Sequence, residues 1–191
     1  VGATNSTLTK IGPGAFVGAL GLSAISVPNV TEIGSIAFAV NNLNVYSREY
    51  SSRFNFSNVT YIGKGAFIQA FQTFTGNAYA GQVNMFPNAV TIGSYAFASN
   101  RLTGGYFPKV TSVGEGAFIG WVGVPSMPLV TEIPSRCFLS AHFSSIGTDD
   151  FPNVESIGTA AFTWPEEYNL VYDKSQYVYL NRSAHSYNSA L

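Results

Sequence analysis

Nine residues recur along this chain, and their recurrence limits it to one kind of architecture. "VTEIGSIAF" spans 30–38, "VTYIGKGAF" 59–67, "VTSVGEGAF" 110–118 and "VTEIPSRCF" 130–138. Aligned on the shorter core I-G-x-x-A-F, seven copies start at Ile11, Ile33, Ile62, Ile92, Val113, Ile133 and Ile157, at spacings of 22, 29, 30, 21, 20 and 24 residues. A period of this length belongs to a solenoid in which each winding is one supersecondary unit that cannot bury its own apolar face; stacked neighbours bury it together.

Each position of the unit predicts a mechanical role. A proline stands five residues before the Ile in five copies (Pro28, Pro87, Pro108, Pro128, Pro152), with Ser6 and Ser57 in the other two. The apolar residue before it ends a short strand, because proline breaks the ladder. The Val of V-T-x-I and the later Ile are expected to cross a bend into the core. The glycines at 12, 34, 63, 93, 114 and 158 are expected to permit a backbone turn that a β-carbon resists. About one helical turn should follow, bringing a small residue (Ala15, Ala37, Ala66, Ala96, Ala117, Cys137, Ala161) and a phenylalanine inward. Phe16, Phe38, Phe67, Phe97, Phe118, Phe138 and Phe162 would then stack as a spine.

These residues carry a family resemblance. "LSAISVPNVTEIGSIAF", 22–38, resembles position by position the unit of the BspA-type leucine-rich repeats, and the resemblance covers about residues 6–165. It implies a solenoid of short parallel β-strands with one-turn helical or irregular segments, about seven coils, in a domain over 1–165. It also implies a secreted or cell-surface protein engaged in adhesion or partner contact. The family's Cys three residues past the Phe is replaced here by Ala19, Asn41, Ala70, Asn100, Trp121, Ala141 and Pro165, and the long linkers 39–56 and 68–86 must bulge outward. Past Phe162 the repeat ends; "YNLVYDKSQYVYLNR", 168–182, predicts a hairpin capping the last coil within a tail at 166–191. No such cap is visible in "VGATNSTLTK".

Composition narrows the partners. Only 10% of residues are charged, against about 25% in ordinary domains, and net charge is −1. No basic field is available to hold nucleic acid. No apolar run reaches the ~20 residues of a membrane span. The chain begins at Val1 rather than Met, as a processed secreted product or an excised fragment would. A single cysteine excludes an internal disulfide framework.

No constellation for catalysis, cofactor or metal emerges, so an enzyme is not expected. His142 and His185 read as solvated loop residues, and neither His-x-x-x-His nor Cys-x-x-Cys occurs. Cys137 fills the small core slot, where an inert thiol is expected. Asp149-Asp150, placed on the strand before copy seven, and Glu166-Glu167 are adjacent acidic pairs without the alternating spacing of a calcium loop.

The functional signal lies in positions expected to face outward. Two residues before the proline, Ser26, Asn55, Met85, Tyr106, Ser126 and Asp150 form a row of candidate partner contacts, with solvent-facing filler as the competing reading. Tyr46, Tyr50, Phe71, Phe74 and Tyr79 in the long linkers either fold back or meet a partner. Sequons at Asn5, Asn29, Asn55, Asn58 and Asn181 are candidate glycosylation sites in a secretory host. Two function classes follow: a recognition or adhesion module for protein or glycan, or a structural subunit assembling end to end with its own copies into a filament or layer.

Overall fold

The computed structural model describes residues 2–4, 7–41, 43, 54–71, 85–100, 104–143, 146 and 150–163. The predicted hairpin and tail, and the outer parts of both long linkers, lie outside the described residues. The seven motif copies stack in order, and coils 1–7 are numbered here after the copy each carries.

Two strand positions recur. Before the proline lie β1 (Gly2–Thr4), β3 (Ala24–Ser26) and β5 (Phe54–Asn55), paired in parallel with Thr4 beside Ser26 and Ser26 beside Asn55. At the x-I of V-T-x-I lie β2 (Lys10–Ile11), β4 (Glu32–Ile33), β6 (Tyr61–Ile62), β7 (Thr91–Ile92), β8 (Ser112–Val113), β9 (Glu132–Ile133) and β10 (Ser156–Ile157). The first five of these form one parallel sheet in chain order, and β9 pairs only with β10. Their register keeps Ile11, Ile33, Ile62 and Ile92 in one column, buried, while the residue before each faces out. Burial therefore follows the repeat and not the strand length, which among the described residues never exceeds three.

The predicted helical turn is not formed. Three consecutive turns take its place in each complete coil, as in Ala15 N–H to Gly12 O, Val17 N–H to Gly14 O and Ala19 N–H to Phe16 O. The first and third turns hold a positive φ at their third residue: Gly14 and Gly18 in coil 1, Ile36 and Val40 in coil 2, Tyr95 and Ser99 in coil 4. The flipped peptides stand along the solenoid axis and bond the next coil. Gly14 N–H donates to Ser35 O, Phe16 N–H to Ala37 O and Gly18 N–H to Ala39 O, at 2.9, 2.7 and 3.0 Å. The same three columns continue down to coil 7. A continuous helix would have spent those amides inside its own coil.

The glycine after the Ile has a different reason from the one expected. None of the six has positive φ. A β-carbon at Gly63 would lie 2.7 Å from Gly34 C and from Ser35 N, and at Gly93 it would lie 2.7 Å from Gly63 C. Coil backbones touch here, and glycine is required by the contact between them.

The core is the expected spine. Each phenylalanine stacks on the next at 5.0–5.6 Å with rings within 15° of parallel, from Phe16 through Phe38, Phe67, Phe97, Phe118 and Phe138 to Phe162. A second column, Phe56, Phe86 and Phe107, meets the spine edge-on or tilted. Interior rings are fully buried and the outermost, Phe16 and Phe162, only partly.

Candidate functional site

The row before the proline is brought together only in part. Ser26 and Asn55 sit side by side on β3 and β5, half-exposed, and Tyr106 bridges to Ser126 in parallel, with Tyr106 the most open of the four. Met85 does not belong to the row. It is only 5% exposed and packs in the hydrophobic core. Asp150 lies in a turn, not on the expected strand, and is half-exposed. Asn55 Oδ1 accepts from Ser57 N–H at 3.0 Å.

Phe71 is likewise removed from the contact set: it is fully buried against Phe67 at 5.5 Å. Tyr46, Tyr50, Phe74 and Tyr79 lie outside the described residues, as do sequon residues Asn5 and Asn181. Asn29 and Asn58 are exposed at the same corner, after Pro28 and Ser57. Asn58 Nδ2 donates to Pro28 O at 2.6 Å, Asn88 Nδ2 to Ser57 O at 2.7 Å and Asn153 Nδ2 to Pro128 O at 2.6 Å. Asn88 and Asn153 are not in sequons. The corner asparagine is therefore a rung between coils, and that role explains Asn58 without a glycan.

Cys137 is buried, and desolvation pushes its thiol pKa far up, the Phe118 backbone hydrogen bond working weakly against that. Among the described residues no three His, Cys, Asp or Glu side chains gather to hold a metal, and no helix is long and apolar enough to cross a membrane.

Asn41 and Asn100, the carboxamides standing where the family has Cys, have bonding roles that the sequence did not show. Asn100 is fully buried; its Nδ2 donates to Phe67 O and Phe97 O, and its Oδ1 accepts from Phe71 N–H. Asn41 repeats only one of these bonds, Nδ2 to Phe16 O, and its Oδ1 is buried without a partner. Leu20 N–H, the counterpart of Phe71 N–H, is turned to Gly18 O instead. Also unforeseen is an apolar surface on coils 1 and 2 made by Val17, Leu20, Ile36 and Val40, each about half-exposed or more. Ile36 and Val40 are β-branched residues at φ 51° and 54°, a costly conformation for them.

A family model described as a BspA type leucine rich repeat region matches six copies, over residues 3–125, 47–168 and 90–189. No curated protein matches. The crystal structure of a leucine rich cell surface protein from Faecalibacterium prausnitzii A2-165 is similar at 18% identity and a TM-score of 0.37, over 93% of this chain. The chain spans 61% of that protein's length. The family model matches most of the chain's length, and the chain belongs to the BspA-type leucine-rich repeat family.

Proposed function

We propose that the chain is a non-enzymatic recognition module of the cell surface or extracellular space, contacting a protein or glycan partner through the strand row. The carrying observation is the neutral, partly exposed ladder of Ser26 with Asn55 and Tyr106 with Ser126. Hydroxyl and carboxamide groups beside an aromatic ring supply hydrogen bonds and contact area with little ordering cost. The few charges favour neutral partners over nucleic acid. The family supports the surface setting.

The test is binding of the purified chain to arrays of neutral glycans and of extracellular protein domains, run in parallel with Tyr106→Ala. Loss of the bound partner in the variant, with unchanged thermal unfolding, supports the reading. A variant that binds the same partners equally well sinks it. Sedimentation of the parent addresses the filament alternative: concentration-dependent ladders or fibres would replace recognition by assembly.

A further inference from the structure

We propose that the seam between coils 5 and 6 is a hinge built into the solenoid, at which coils 6 and 7 swing away from coils 1–5 along the V-T-x-I side.

Every other described seam on that side carries the same backbone rungs. Gly34 N–H donates to Ile11 O, Gly63 N–H to Ile33 O, Gly93 N–H to Ile62 O, Gly114 N–H to Ile92 O and Gly158 N–H to Ile133 O, all at 2.7–2.8 Å. The Thr position adds a second rung, as in Thr60 N–H to Thr31 O at 2.9 Å and Glu155 N–H to Thr131 O at 2.8 Å. At the coil 5–6 seam Pro134 stands in the glycine position and has no N–H to give. Thr131 and Glu132 make no such bond to coil 5 either, and β8 and β9 lie adjacent but unpaired.

The second loss follows from the first residue's bulk. A β-carbon in this column would come within 3 Å of the preceding coil's backbone, as at Gly63 and Gly158. A pyrrolidine ring cannot occupy that space, so the V-T-x-I arm of coil 6 stands off from coil 5. Strain reaches the adjacent column, where Gly116 N–H to Ser135 O is 3.2 Å against 2.9–3.0 Å for its equivalents.

The rest of the seam is intact and forms the pivot. Phe118 N–H donates to Cys137 O and Gly120 N–H to Leu139 O, both at 2.9 Å, and Phe107 N–H donates to Ser126 O at 2.9 Å. Phe118 and Phe138 remain stacked at 5.4 Å. Beside the loosened side, in the first turn, an exposed ion pair, Arg136 to Glu115 at 2.8 Å, joins the two coils, and salt screens it. A seam closed on two sides and open on the third bends about the closed sides. Bending would change the angle between Tyr106 and Ser126, which bridge the same two coils.

Amide hydrogen exchange of the whole chain tests this. The expected profile has a step at the seam: Gly116 N–H, which donates across it to Ser135 O, exchanges about tenfold faster or more than its equivalents Gly65 and Tyr95, whereas Glu155 and Gly158, bonded within the swinging pair, do not. Added salt widens the step. Pro134→Gly, which restores both donor and space, should abolish it. Uniform protection across the seam overturns the hinge, and so does a smooth rise toward coil 7, which is end fraying. A step that persists unchanged in a folded Pro134→Gly also overturns it. Should that variant fail to fold, the parent profile and its salt response decide alone.

Discussion

Asn100 ties coil 4 to Phe67 in coil 3: its Nδ2 reaches Phe67 O at 2.7 Å while its Oδ1 takes the Phe71 N–H at 2.8 Å. Truncation to Ala takes the partner from Phe71 N–H and from Phe97 O, while Phe67 O keeps Ala70 N–H, so Asn100→Ala should cost about 2–4 kcal/mol. Asn41→Ala removes one bond and one orphaned oxygen, and should cost only about 1 kcal/mol. Denaturant midpoints of the two variants measure the difference; equal losses would contradict the assigned bonding.

The glycine column predicts a contrast between two identical substitutions. At Gly63 a β-carbon meets backbone atoms of coil 2 that cannot rotate away, so Gly63→Ala should destabilise by about 2 kcal/mol or more. At Gly12 nothing lies within 4 Å, and Gly12→Ala should stay within about 0.5 kcal/mol of the parent. Thermal unfolding of the pair checks it.

Phe97 lies between Phe67 at 5.5 Å and Phe118 at 5.6 Å and is fully buried. Phe97→Ala should cost about 3–5 kcal/mol, as truncations of large buried aromatics do. A melting curve matching the parent's would refute the spine as the main source of stability.

Cys137 gives the fold a pH dependence with a defined sign. Burial raises the folded thiol's pKa above its unfolded value of about 8.5. The neutral thiol therefore contributes fully below that pH, and stability falls as pH rises above it, because the unfolded chain alone releases the proton. The slope is about 1.4 kcal/mol per pH unit. Between pH 8 and 9.5 the parent should lose stability relative to Cys137→Ala, which should match it near pH 7; parallel pH curves for the two would show that the thiol is not buried.

The spine and, from coil 2 onward, its small-residue slot were legible in the sequence because they are periodic and apolar, and an apolar column has one place to go; Ala15, in the end coil, is exposed instead of inward. The glycine at 34, 63 or 93 was legible as a requirement but not in its cause. A close approach between coils and a positive φ demand the same residue, and only coordinates separate them. The turn ladder was partly written in Gly14, Gly18, Gly65, Gly116 and Gly120. Ile36, Tyr95 and Arg136 at the equivalent positions hid the pattern, since tertiary bonding holds them in a conformation their own preferences oppose. Met85 escaped because the position two before a proline faces outward only where a strand sets the alternation, and Met85 itself lies in a bend. Asn41 and Asn100 were visible as departures from a Cys pattern, but their partners come from coils more than twenty residues earlier.

The three axial columns of the turn arm also fix an electrical polarity. In each, a peptide accepts from the coil before and donates to the coil after, with every N–H pointing toward coil 7. Their dipoles add head to tail, as in an α-helix, but with the opposite sense relative to the chain. Partial positive charge gathers toward Ala160 and partial negative charge toward Pro13, so the turn arm favours anions on its coil 7 side and cations on its coil 1 side. Each added coil would lengthen the column without placing new partial charge along its flank.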